Sequence, residues 1–448
     1  MPKKPTYYML IVFLITSFFI NCSKDTNAPI VQNSEVEIEH IKTLGGSKNE
    51  SAQAVTKTTD GGYAILGYTQ SKDGDITNKS NESYDYWVIK YDTTNQLQWQ
   101  KTYGGSGDDR GADLVQTSDG GYAVIGKSKS NDFDVSENAG FDDFWITKLT
   151  ENGAISWEKT YGFAGSDTPN SIIQTNDNGF LLTGVLDVSA SNGQGNRQTT
   201  MSQRHAGGDY WVIKLNANGE REWSNYYGGS FTDTAYDAIQ TEDDDYIIAG
   251  SSDSNDVDIS NTNGGYDYWV IKISSTGSLI WEKSFGGSEI DEARAICQTS
   301  DGNYLIVGDT RSDDLDVSQT NGAADLWLIK ITPEGTLLWE KTMGGTNFDV
   351  GRSISKTQDN GFLISGSSRS NDGNLTTNKG QNDAWVLKID RAGDLEWQKS
   401  IGGSETDFFN AVVELNNQTI VAVGDSNSSN EDISENKGFT DLLILKLK

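Results

Sequence analysis

The sequence predicts an all-β fold, a seven-bladed β-propeller with four antiparallel strands per blade, and three observations carry that expectation. A glycine recurs at Gly45, Gly104, Gly162, Gly228, Gly286, Gly344 and Gly402, at intervals of 58 residues except one of 59 and one of 66. Each interval holds four short strand signals separated by turn residues. The last interval stops after its third strand, while a spare fourth strand, residues 38–45, stands before the first.

Residues 1–21 precede the fold. Lys3 and Lys4 give a positive start, and Tyr7 to Ile20 form an apolar stretch too short for a spanning helix. The stretch ends at Phe19-Ile20-Asn21-Cys22, and a polar run follows. This resembles a bacterial lipoprotein signal, which implies lipidation of Cys22. Asn21 departs from the small residue usual before that cysteine. The implied address is the bacterial cell envelope, lipid-anchored at the outer membrane, with residues 22–34 as a flexible tether and 35–448 as the propeller. The anchor is the sole expected membrane contact.

Within the second interval the strand signals run in order. Asp113-Leu114-Val115-Gln116-Thr117 leads through Ser118-Asp119-Gly120-Gly121 into Tyr122-Ala123-Val124-Ile125-Gly126. A polar loop precedes Phe144-Trp145-Ile146-Thr147-Lys148-Leu149, and Asn152-Gly153 turns into Ile155-Ser156-Trp157-Glu158-Lys159-Thr160. Several strands are apolar at consecutive positions, as strands covered on both faces are. In the seventh interval Leu442-Leu443-Ile444-Leu445-Lys446 lacks a fourth strand, and residues 38–45 align with residues 155–162. The N-terminal strand is therefore expected to complete the last blade and leave no open edge.

The run at 103–109, with Asp119-Gly120-Gly121-Tyr122 and Phe144-Trp145-Ile146-Thr147-Lys148, resembles the bacterial seven-bladed β-propeller repeat. The resemblance spans residues 36–448 and implies a secreted or surface protein. Residues 390–397 resemble the tryptophan-docking motif of quinoprotein dehydrogenase propellers. Those propellers have eight blades and a vicinal disulfide over the cofactor, so only the packing role of the tryptophan carries over.

All 12 tryptophans fall at two positions per unit. Third strands carry Trp87, Trp145, Trp211, Trp269, Trp327 and Trp385; fourth strands carry Trp99, Trp157, Trp223, Trp281, Trp339 and Trp397. Repetition around the ring reads as packing between blades. The seventh blade substitutes Leu443 and His40, so His40 is expected to pack as well.

The charge is −30, from 65 acids against 35 bases, a field that repels a phosphate backbone and excludes nucleic acid as a partner. Beyond Cys22 the chain has only Cys297, so no disulfide framework exists. The 2 histidines, His40 and His205, have no zinc-ligand spacing, and no Gly-x-Ser-x-Gly elbow occurs. No catalytic residue is assigned, and no cofactor is required.

Two acidic series complete all seven units. One is Glu50, Asp109, Asp167, Asp233, Asp291, Asp349 and Asp407; the other is Asp85, Asp143, Asp209, Asp267, Asp325, Asp383 and Asp441. Acids beside glycine turns commonly accept backbone N–H groups. Between second and third strands lie the pairs Asp73 and Asp75, Asp132 and Asp134, Asp256 and Asp258, and Asp314 and Asp316. Alternating carboxylates are ligands for a hard cation such as Ca2+, although the full helix–loop–helix ligand set is missing.

Selectivity is expected where the copies differ. Unit three carries eight extra residues in a loop containing Arg197, Arg204 and His205, a local positive charge suited to a carboxylate-bearing glycan or a protein. Eight residues after each glycine anchor stand Gln53, Ala112, Asn170, Tyr236, Arg294, Arg352 and Asn410. Tyr236, Arg294 and Arg352 therefore mark one side of the axial channel as a second contact surface, provided the strand register turns them inward. The expectation is a non-enzymatic binding module for a protein or glycan at the envelope. The alternative is a polysaccharide hydrolase or lyase that uses carboxylates of the acidic face.

Overall fold

The computed structural model describes residues 1–3, 36–195 and 205–448. Cys22, the tether, Arg197 and Arg204 lie outside the described residues. Seven four-stranded sheets form, each an antiparallel meander. Blade 1 comprises Glu50–Lys57, Tyr63–Thr69, Asp85–Tyr91 and Leu97–Tyr103. Blades 2 to 6 follow within residues 109–161, 168–227, 233–285, 291–343 and 349–401. The first strand of every blade touches the first strands of both neighbours, so the seven innermost strands close a ring around an axial channel. Among the described residues no helix is long and apolar enough to cross a membrane.

Blade 7 joins Asp407–Glu414, Ile420–Ser426 and Asp441–Leu447 to Ile38–Leu44, which is its outermost strand. Glu37 and Lys448 exchange two backbone hydrogen bonds of 3.0 Å. His40 lies opposite Lys446, as Trp99 lies opposite Lys90, so it occupies the tryptophan register. Its expected packing does not follow. The bulge between Ile38 and His40 is the one every other blade has beside its tryptophan, yet here both side chains are exposed. Ile41 instead packs against the cluster that includes Leu443.

Tryptophan explains why the blades stack. The six third-strand indoles are completely buried. In five blades the indole N–H donates to a side chain 13 residues on: Gln100, Glu158, Glu282, Glu340 or Gln398. Blade 7 replaces both partners with apolar Leu443 and Ile41, so no N–H is left needing an acceptor. Fourth-strand indoles dock on the next blade. Trp157 stands edge-on to Phe180 at 5.9 Å, and a Cβ on Gly219 would lie 2.7 Å from its ring. Gly219 also has a φ of 76°, so both space and backbone exclude a side chain there.

Candidate functional site

The face that carries the interblade connections and the second-to-third-strand loops is built from carboxylates, and their partners are mostly backbone. At the blade 4–blade 5 junction Asp291 accepts from the Gly287 N–H at 2.7 Å and the Ser312 hydroxyl at 2.9 Å. Asp267 accepts from the Asn263 N–H at 2.5 Å. A Cβ on Gly286 would lie 2.3 Å from Asp267 Oδ1 and 2.6 Å from Asp291 Oδ2. The recurrent glycine is thus required because two carboxylates close over its backbone.

The eight loop acids marked for a cation have one shared role. Asp75, Asp134, Asp258 and Asp316 accept the N–H of the glycine anchor at 3.0, 3.2, 3.2 and 3.3 Å. Asp73, Asp132, Asp256 and Asp314 accept the N–H two residues later, at 2.8, 2.7, 2.9 and 2.7 Å. Each acid so spends one oxygen on pinning the neighbouring connection. No group of three or more acids, histidines or cysteines among the described residues is arranged to hold a metal ion.

The second acidic series is less satisfied. Oδ1 of Asp143, Asp209, Asp267, Asp325, Asp383 and Asp441 is buried with no hydrogen-bond partner. Burial, with help from the neighbouring carboxylate, pushes Asp267, Asp325 and Asp441 up to about 6. In blade 1 a lysine supplies the missing charge, with Lys79 Nζ 2.8 Å from Asp85.

His205 sits at the blade 3–blade 4 junction, not in the channel. Its Nδ1 lies 2.5 Å from Asp209 Oδ2, and its ring meets Tyr226 edge-on at 4.9 Å. Burial lowers its pKa, but the Asp209 hydrogen bond and surrounding carboxylates outweigh that and raise it above the ordinary value. It stands four residues before Asp209, as Lys379 and Lys437 stand before Asp383 and Asp441. Those lysines pair with Asp432 and with Asp75. The imidazole accordingly offsets junction charge.

The channel residues are placed by one device repeated seven times. The register of every first strand against its second shifts by one residue, at Gln53, Ala112, Asn170, Tyr236, Arg294, Arg352 and Asn410. These β-bulges leave one extra residue on the innermost strand and re-aim its side chain. Arg294 stacks 4.6 Å over the Tyr236 ring and pairs with Glu292 at 2.9 Å. Arg352 lies 5.2 Å over Phe408, is exposed to the channel, and has no ion pair or hydrogen bond among the described residues. Desolvation of the guanidinium by the channel wall and the like charge of Arg294 lower its pKa, against the attraction of Asp425 and Asp309.

Sequence reasoning missed Phe408 and Glu292, which lie two residues before the bulges of their strands. It also missed Asp309 and Asp425 on the second strands. Their signal was variation between copies: the equivalent first-strand positions hold Ser51, Arg110, Thr168, Thr234 and Val350, and the second-strand ones Tyr68, Lys127, Val185, Ser251 and Ser367. Lower in the ring Asp113 and Asp237 are pushed up by burial to about 7 and about 6. Asp113 accepts from the N–H groups of Leu114 and Ile172, and Asp237 from those of Ala238 and Ile296. These carboxylates pin adjacent inner strands.

No family model matches the chain, and no curated protein matches it. The solved structures to which the chain is similar match it at low identity and with TM-scores below 0.5. Sqt1 from Chaetomium thermophilum is 11% identical over 92% of this chain and 99% of its own, with a TM-score of 0.48. A gluconolactonase from Xanthomonas campestris is 10% identical over 76% and 91%, with a TM-score of 0.36. An aldose sugar dehydrogenase from Streptomyces coelicolor, in its PQQ-bound form, is 8% identical over 92% and 98%, with a TM-score of 0.39. These are similarities of fold alone.

Proposed function

We propose that the chain is a lipid-anchored, non-enzymatic binding propeller of the bacterial envelope that captures an acidic glycan at its channel mouth. The observation that supports this is Arg352, a guanidinium with no ion pair or hydrogen bond among the described residues, beside Arg294 and two aromatic rings in a protein of charge −30. A guanidinium offers five donors in a fork that matches a carboxylate, and the rings offer faces for a sugar. In this reading Cys22 carries the lipid, and the outermost strand of blade 7 begins on the face opposite the mouth. The tether of residues 22–34 then spans up to about 45 Å, with the mouth turned away from the membrane.

The test is a glycan array followed by calorimetry with uronic-acid oligosaccharides and their neutral counterparts. Arg352→Ala should weaken acidic ligands at least about tenfold and leave any neutral ligand unchanged. Equal capture of acidic and neutral chains removes the reading. The hydrolase or lyase alternative requires turnover that disappears when one acid at the channel mouth, Asp309 or Asp425, becomes asparagine.

A further inference from the structure

On the opposite face, between blades 4 and 5, lies a cavity of about 470 Å³ whose walls include Glu242, Lys272, Trp281, Gln298, Tyr304 and Glu334. Two devices that recur in other blades are both absent there. In blades 1 to 3 the turn between first and second strands ends in glycine. The third-strand lysine reaches over it to a carbonyl: Lys90 to Tyr91 at 2.7 Å, Lys148 to Leu149 at 3.2 Å, Lys214 to Leu215 at 3.0 Å. A Cβ on Gly121 would lie 2.7 Å from the Lys148 ammonium. Blade 4 has Asp245 at that position, and Lys272 keeps the turn-aspartate pairing of blades 1 to 3, with Asp243 at 3.3 Å, but adds Asp245 at 3.2 Å in place of the carbonyl.

The second device is a stitch between blades. The turn N–H groups of Thr59, Ser118 and Asn176 each donate at 2.8 Å to Gln116, Gln174 and Gln240 of the next blade, and Gln358 donates at 2.7 Å to Glu414. Gln298 occupies the acceptor position opposite Glu242, yet its side-chain amide makes no hydrogen bond there and lines the cavity. Tyr304 is 3% exposed, and its hydroxyl also has no partner among the described residues. The Trp281 ring is fixed by its N–H, which donates to the Pro333 carbonyl at 3.2 Å. Glu242 and Glu334 have no cation partner among the described residues, since Lys272 is already paired.

We infer that this cavity is a binding site for a small organic ammonium. Two unpaired carboxylates supply the counter-charge. Trp281 supplies aromatic surface for cation–π contact, and the free Gln298 amide and Tyr304 hydroxyl bond to a polar body. The volume suits a ligand of monosaccharide size. The site is separate from the channel and stands without the glycan reading.

The test titrates the full mature chain by calorimetry, at low salt, with glucosamine, N-acetylglucosamine and choline chloride. At least one ammonium probe should bind at least about tenfold more tightly than N-acetylglucosamine, whose nitrogen carries no charge. Binding by glucosamine alone assigns an amino sugar; binding by choline assigns a methylated ammonium. The double variant Glu242→Gln and Glu334→Gln should lose about tenfold in affinity. Asp245→Gly, which restores the glycine of blades 1 to 3 and takes from Lys272 one of its two carboxylate partners, should lose as much. Failure of both ammonium probes to bind at millimolar concentration overturns the inference. So does affinity unchanged in both variants when they melt with the parent.

Discussion

The Trp211 indole N–H donates to the Gly195 carbonyl at 3.3 Å, whereas five equivalent indoles donate to a fourth-strand glutamine or glutamate. Blade 3 has Ser224 at the acceptor position, and the segment that lengthens this blade supplies the missing oxygen. A neutral bond contributes about 1 kcal/mol net, while stranding a carboxylate costs about 2 kcal/mol. Trp327→Phe, which strands Glu340, should therefore lower the urea midpoint more than Trp211→Phe. Equal losses would show that ring burial alone matters at this position.

Removal of residues 36–44 strips Asp441–Leu447 of its partner and exposes the row of groups now paired with the N-terminal strand. The loss should reach several kcal/mol, comparable to a domain's whole stability margin. The truncated chain should aggregate or melt far earlier, whereas removal of residues 23–33 should leave melting unchanged. Calorimetry on the two truncations checks this.

Stability should rise as the pH falls from about 7.5 to about 5. Burial pushes Asp267, Asp325 and Asp441 up to about 6 and Asp167 and Asp233 up to about 7, against 3.8 for a free carboxyl. The folded chain holds those protons where the unfolded chain has released them. Asp119, Asp177 and Asp359 oppose this at lower pH: burial raises them, but hydroxyl and lysine hydrogen bonds prevail and hold them at about 2. Melting temperature should therefore peak on the acid side and turn over below about pH 4. Asp267→Asn with Asp325→Asn should flatten the rise between pH 5 and 7.5, roughly in proportion to the protons removed.

Arg352→Met should keep or raise the melting temperature while it removes acidic-glycan binding. Desolvation and the like charge of Arg294 outweigh the attraction of Asp425 and Asp309 at this guanidinium, so an apolar isostere gives a net relief and retains contact with Phe408. A melting temperature lower by more than a few degrees would make Arg352 a structural residue.

Val257, Leu315 and Phe133 have φ of 60°, 57° and 55°, at a loop position that blades 1 and 6 fill with Gly74 and Gly373. Left-handed backbone costs a side chain about 1–2 kcal/mol, most for a β-branched one. Val257→Gly should stabilise by up to about 1 kcal/mol after the entropy glycine costs the folded state. A chemical melt of that variant decides it.

Much of this architecture was legible because a ring of copies writes each structural requirement several times. The glycine anchors, the tryptophan slots and the strand completing blade 7 are all repeated constraints, so chance cannot imitate them. The bulge that aims Tyr236, Arg294 and Arg352 was not legible, because it is a one-residue change of hydrogen-bond register with no composition signal of its own. The seam beside Gln298 was hidden for another reason: it depends on a lysine responding to Asp245, a consequence of three-dimensional contact between separate turns.

The pairing of Ile38–Leu44 with Asp441–Leu447 also has a mechanical meaning. A pull applied at Val36 acts along the strand axis, so the ladder from Ile38 to Leu44 resists in shear. Its hydrogen bonds carry the load side by side and must yield nearly together, unlike a peeled hairpin, which opens one bond at a time. The seam that closes the ring is thus also a latch, set in the direction that best withstands tension on the chain.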